Sequence, residues 1–339
     1  MKLAIHRLSA CLALLPTLGF AQSSVFNTTF DAAHNALNSS TFNITAQGST
    51  WNVASSTDAR SSSLNAGGLT LTIPSSTPGI VEAQTRFTTS PITLSANGDY
   101  VKVVTTFSGT NVLPTGAGST SQLNIGLFDS AANNPLAGLN NAGLSTLPIG
   151  ENTSGGAQPW EGYVAKIVGG TSGAVSGVYQ RAVQNITALT SNNQDLLFSG
   201  ATGGYRNPNA APIGSSNAAG VWAPLSSATP YTLAFTITRA TADSYTIGYE
   251  LFSGSGTGGT TLASYSATTT TTNYLSNLTF DGLAIGARYS GAAASDITYS
   301  SLSVSTNTVS AVPEPSTYAA LAGLAALGLV AWRRLGART

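Results

Sequence analysis

Cysteine, histidine and charge are nearly missing from this chain. Its 339 residues hold one cysteine, two histidines and one methionine, and only 8% are charged, against ~25% in a typical soluble protein. Scarce Glu, Lys and Arg exclude a coiled coil or a long charged helix. Thirteen Lys and Arg over this length are too few to neutralise many phosphates, so nucleic acid is not a partner. There is no G-x-S-x-G, no H-E-x-x-H and no P-loop, which removes the common hydrolase, metalloprotease and nucleotide-binding signatures. What fills the chain is Ser, Thr, Asn, Ala and 36 glycines.

The single cysteine, Cys11, sits in a segment read as a secretory signal. Lys2 and Arg7 precede an uncharged run, Leu8–Phe20, and Gly19 and Ala21 place small residues at a cleavage site before Gln22. That run is shorter than the ~20 apolar residues a membrane span needs. Signal peptidase is thus an expected partner. The mature chain then has no thiol, no disulfide and no Cys-ligated metal. Only His34 remains among the histidines; with no positioned partner in the sequence it reads as a surface or capping residue.

The opposite end carries Pro313, Glu314 and Pro315, then an apolar run over 317–332, then Arg333, Arg334 and Arg338. Tyr318–Trp332 would be ~22 Å long as a helix, with Tyr318 and Trp332 at the interfaces and the arginines on the cytoplasmic side. This order of elements closely resembles the PEP-CTERM sorting signal of Gram-negative bacteria. The resemblance implies recognition of Pro313, Glu314 and Pro315 by an exosortase-type membrane sorting protease. It also implies a transient membrane anchor at 317–332 and a final location at the cell surface or in an extracellular matrix. Residues 1–21, 22–311 and 312–339 are therefore read as signal peptide, body and sorting signal. Without the five basic residues of the two ends, eight remain against thirteen acids, a net charge of −5, or −4 if Glu314 also departs. Such a surface does not attract polyanions at long range.

The body is patterned at period two. Tyr231–Arg239 turns Tyr231, Leu233, Phe235 and Ile237 one way and threonines the other. Tyr100–Phe107, Tyr245–Phe252 and Ile297–Val304 alternate similarly, with weaker runs at Leu69–Ile73, Leu123–Phe128, Gly162–Val168, Leu262–Ala267 and Phe280–Ala287. β-branched and aromatic alternation bounded by Gly, Asn, Ser and Pro predicts half-buried antiparallel strands. Many strands without helices predict an all-β fold, a single jelly-roll antiparallel β-sandwich. Long loops are expected at 110–121, 130–158 and 200–223. The last third, with Phe280-Asp281-Gly282-Leu283, resembles the closing strands of concanavalin A-like (laminin G-like) sandwiches. That resemblance implies a curved two-sheet body able to bind glycans.

Candidate chemistry is sparse. Glycosidases place two carboxylates ~5–10 Å apart, and no E-x-D-x-x-E strand is present. Glu151, Glu161, Asp243, Glu250, Asp281 and Asp296 read as turn and edge acids. No catalytic residue is expected, and the chain is expected not to be an enzyme. Aromatics that stack on sugar rings are sought at Trp160, Tyr163, Tyr205 and Trp222, with Arg206 beside them. No cofactor is required, though Asp129 and Asn133 share a loop suited to Ca²⁺. The expected function is a secreted, non-catalytic surface or matrix protein associated with exopolysaccharide. The alternatives are a concanavalin A-like glycan-cleaving enzyme and a purely adhesive protein.

Overall fold

A computed structural model describes residues 22–39, 41–55, 61–74, 79–113, 121–135, 157, 159–169, 176–182, 195–198, 212–214, 225, 229–276, 278–289, 294–307 and 323–324. Contacts divide the chain into two compact units, Met1–Thr308 and Val309–Thr339. The first unit is all-β in its described residues. Its strands are β1 (Ser23–Thr28), β2 (Ala36–Leu37), β3 (Ile44–Thr45), β4 (Gly48–Ser55), β5 (Ser61–Asn65), β6 (Gly68–Ile73), β7 (Gly79–Arg86), β8 (Ile92–Thr93) and β9 (Tyr100–Thr110). They continue with β10 (Gln122–Asp129), β11 (Glu161–Val168), β12 (Gly177–Arg181), β13 (Tyr231–Thr241), β14 (Ser244–Ser253), β15 (Thr261–Thr268), β16 (Thr279–Phe280), β17 (Gly282–Tyr289) and β18 (Ser295–Thr306).

Two eight-stranded sheets form. The first runs β15-β14-β13-β9-β18-β6-β5, with β1 also on β18; the second runs β12-β11-β10-β17-β7-β4-β2, with β3 on β4. Every pairing is antiparallel except the short β2–β4 contact. The first sheet follows the alternation. Leu233, Phe235, Ile237, Tyr245, Ile247, Tyr249 and Leu251 all point into one core, while Glu250 is exposed. Leu123, Ile125, Leu127, Tyr163, Ala165, Leu283 and Ile285 of the second sheet complete that core from the other side. This is the antiparallel sandwich the pattern predicts.

Two expectations need correction. The Ile297–Val304 alternation slips: Ile297 and Tyr299 are buried, Ser300 is exposed, and Leu302 and Val304 are buried again. The cause is a β-bulge, because Tyr299 pairs Phe107 while Ser301 already pairs Thr106, leaving Ser300 as the extra residue. The bulge lies where β18 changes its other neighbour, from β6 up to Tyr299 to β1 from Leu302. Second, Leu123–Phe128 and Gly162–Val168 are not half-buried strands. β10 is buried through Phe128, and in β11 only Glu161 and Lys166 are partly open. A second core covers the sheet's outer face, made by Ala157, Trp160 and Leu196, Leu197 and Phe198 over Phe128, Val164, Tyr179 and Ala284. The expected C-terminal apolar helix lies outside the described residues except at Gly323 and Leu324, which are helical. Among the described residues no helix is long and apolar enough to cross a membrane.

Candidate functional site

The outer face of the second sheet gathers most of the buried polar chemistry. Alternate residues face outward, so register aligns them in rows across the strands. One row is Ala54, Glu82, Gly286, Asn124, Lys166 and Gly177; the next is Asn52, Gln84, Ala284, Gly126, Val164 and Tyr179. Glycines leave room for the covering chain: a Cβ on Gly282 would lie 2.7 Å from Trp160 Cζ3.

Segment 195–198 is fixed to this bed by carboxylates. Leu196 N–H donates to Glu82 Oε1 at 2.9 Å and Leu197 N–H to Glu82 Oε2 at 3.1 Å; Gln84 Nε2 also donates to Glu82. Asp195 Oδ1 accepts from Leu197 N–H at 3.1 Å and Phe198 N–H at 2.9 Å. Burial pushes both carboxyls up, and Glu82 raises Asp195 further, so the pair holds one proton more readily than separate carboxylates would. Arg181, fully buried, donates to the Trp160 carbonyl and to Asp195 O at 3.4 Å. Its burial lowers its pKa to about 10 against the pull of Asp195, Glu82 and Glu161. Sequence reasoning passed over Glu82, Arg181 and Asp195. The available signal was an acid set among apolar residues in Gly79-Ile80-Val81-Glu82-Ala83-Gln84, four residues before the one other charge of that strand, Arg86.

The sugar-stacking candidates fall differently. Trp160 is 0% exposed, packs against Phe128 with tilted rings 6.0 Å apart, and donates Nε1–H to Asn133 O at 3.0 Å. Tyr163 is 0% exposed and its hydroxyl donates to Asn273 O at 3.1 Å. Both are core residues with no face left for a ring to stack on: Tyr163 lies in the core between the sheets and Trp160 in the second core over the outer face. Tyr205, Arg206 and Trp222 lie outside the described residues, as do Pro313, Glu314, Pro315, Arg333, Arg334 and Arg338.

Asp129 and Asn133 do not present a calcium set as placed. Asp129 Oδ1 accepts from Ala131 N–H, and Oδ2 accepts from Thr279 N–H and Oγ1–H. Asn133 Nδ2 donates to the Ser130 and Ala131 carbonyls. Among the described residues no three His, Cys, Asp or Glu side chains converge on a metal position. The loop is instead clamped from beneath. Buried Asp281 accepts from Ser130 N–H at 2.8 Å and Oγ–H at 2.7 Å and pairs with Arg86 at 3.0 Å. The clamp holds Ala131 and Ala132 at φ 48° and 62°, a left-handed region costly for alanine.

One carboxylate pair does meet across strands. Asp129 and Glu161 are directly opposed on β10 and β11. Burial and then the Asp129 charge raise the pKa of Glu161. His34 lies apart, exposed, with Nδ1 2.8 Å from Asp31. On the first sheet's outer face, Thr236, Thr246, Gly248, Glu250, Ser264 and Ser266 line a groove of about 380 Å³.

The class these features define is an antiparallel two-sheet sandwich followed by a separate sorting segment. Residues 311–334 match the PEP-CTERM protein-sorting motif, which places a sorting signal where Pro313, Glu314 and Pro315 were singled out. No match is found among curated proteins. Among solved structures the body is similar in fold to a winged bean acidic lectin complexed with methyl-α-D-galactose. The two share 14% identity, covering 84% of this chain and 98% of that one at a TM-score of 0.38. It is likewise similar to arcelin-5, a lectin-like defense protein from Phaseolus vulgaris (10%, 84% and 98%, 0.39). A third is the Emp46p carbohydrate recognition domain in a potassium-bound form (10%, 75% and 87%, 0.38).

Proposed function

We propose that this chain is an exported, exosortase-sorted surface or matrix protein whose sandwich is non-catalytic and associates with extracellular polysaccharide. The observation that carries this reading is the sorting motif at 311–334 behind a body whose first sheet has an outer face rich in hydroxyl groups. Hydroxyls and amides hydrogen-bond neutral polyols without a charge requirement. Support for a non-catalytic body comes from its buried carboxylates, which are spent on backbone N–H groups.

The test is the terminal mass of the chain recovered from the outer fraction of its native host. The expected product begins at Gln22 and ends between Pro313 and Tyr318. A product that still carries Arg338 and Thr339 makes the tail a lasting anchor and defeats the sorted-matrix reading.

The Asp129–Glu161 pair favours a second reading, glycan cleavage, because opposed carboxylates are the minimum for that chemistry. Against it, both Asp129 oxygens already accept hydrogen bonds. Release of reducing ends from a polysaccharide panel, abolished by Glu161→Gln, would establish it.

A further inference from the structure

Among the described residues, two cations on the outer face of the second sheet have no counter-ion. Lys166 on β11 and Arg288 on β17 flank β10, where Asn124 pairs with Lys166 and Gln122 pairs with Arg288. Strand spacing and the two-residue step put their Cα atoms about 12 Å apart, within reach of long side chains. Both are half-buried. Burial, and then the charge of Arg288, lower the pKa of Lys166. Among the described residues neither has a carboxylate partner. The Lys166 ammonium rests 5.3 Å from the Tyr179 ring centroid. The nearest carboxylate by register, Glu82, is one strand and one row from Arg288, and its two oxygens face the N–H groups of Leu196 and Leu197.

Between the cations stand two acceptors with nothing to accept. Gln122 and Asn124 are 5% and 1% exposed, and Gln122 Oε1 and Asn124 Oδ1 are both unpaired. Asn124 Nδ2 donates to Leu197 O, which fixes the amide so that its oxygen is the free end. An unmet buried acceptor costs about 1–3 kcal/mol, and crowded, partly desolvated like charges add to that cost.

The two groups ask one partner for two things: an anion between the cations and hydroxyl donors for the amide oxygens. A free inorganic anion offers charge without donors. A neutral sugar offers donors without charge. An acidic sugar offers both, and a uronate carries its carboxylate on the same ring as its hydroxyls. We propose that Lys166, Arg288, Gln122 and Asn124 form a subsite for the uronate units of an acidic polysaccharide. This rests on the polysaccharide reading above and narrows it to a substrate class. The full chain has no net formal charge at pH 7, so recognition here is by contact and not by long-range attraction.

The test is affinity electrophoresis of the full chain, kept in detergent, through gels containing polygalacturonate, the same polymer with its carboxyls reduced to alcohols, or a neutral β-glucan. The expected result is retardation by polygalacturonate alone. Lys166→Gln and Arg288→Gln each weaken it about tenfold, while Lys166→Arg retains it. Unchanged melting temperatures show that the variants fold. Equal retardation by the native and reduced polymers, or retardation indifferent to both Gln variants, overturns the uronate subsite and leaves polysaccharide association standing. Retardation by none of the three gels overturns the subsite and counts against the association itself.

Discussion

At the scale of single residues, the Glu82–Asp195 pair decides how the second sheet is closed. Two carboxylates with one buried guanidinium balance only when one carboxyl is protonated. Folding raises the pKa of both acids, so the native state keeps a proton that the unfolded chain releases near pH ~4. Native stability therefore falls as pH climbs from the ordinary carboxylate range through the raised value. Asp195→Asn imitates the protonated form: its Oδ1 still accepts from Leu197 and Phe198, and its amide donates to Glu82. We predict that this variant loses the alkaline decline, seen as a melting temperature that stays level where the parent's drops. Glu82→Ala removes the acceptor of Leu196 N–H and one of the two acceptors of Leu197 N–H, and should cost about 1–3 kcal/mol in chemical denaturation. A parallel decline in Asp195→Asn and parent would place the titrating group elsewhere. Little of this was legible beforehand. Glu82 shows in the sequence only as an acid within a strand, while Leu196 and Leu197 lie 114 and 115 residues downstream, and no local pattern links them.

At the scale of elements, the two sheets differ in how openly the sequence declares them. β9, β13 and β14 face solvent on one side, so Thr, Lys and Glu alternate with Val, Ile and Tyr and the period is visible. β4, β7 and β12 are buried on both sides yet carry polar residues, among them Asn52, Glu82, Gln84 and Arg181. Their pattern is not periodic, and the expected strands omitted all three. The same reasoning explains why Trp160 and Tyr163 looked available: Tyr163 is buried between the two sheets and Trp160 in the cover over the second, and neither layer can be seen until the sheets exist. β18 offers a sharper case. Its sequence, Ile297-Thr298-Tyr299-Ser300-Ser301-Leu302-Ser303-Val304, becomes perfectly alternating when one of the paired serines is removed. Deleting Ser300 should keep Leu302 opposite Thr105 and Val304 opposite Val103, and cost less than about 1 kcal/mol. Deleting Ser303 instead turns Val304 outward and should cost about 2 kcal/mol or more. Urea unfolding of both deletions distinguishes them; equal losses would mean that the bulge itself, and not the facing of side chains, sets the register.

At the scale of the whole molecule, two kinds of information are written in different ways. The body is specified by residues far apart in the chain: β18 pairs with β9 about 200 positions away, and both hydrophobic cores draw on residues no later than Val304. The sorting motif is contiguous, 311–334, with Pro313-Glu314-Pro315, an apolar run and terminal arginines in linear order. That order is why the tail was the most legible part of the chain. A signal read linearly needs no particular fold ahead of it. Moving 309–339 onto an unrelated exported domain should therefore move the sorting with it. The passenger is expected in the outer fraction with a new terminus between Pro313 and Tyr318, as read by mass spectrometry. Replacing Pro313, Glu314 and Pro315 by alanines in the same fusion should leave Arg338 and Thr339 attached. If the fusion keeps its arginines while this chain loses them, the body takes part in its own sorting, and recognition extends beyond the motif.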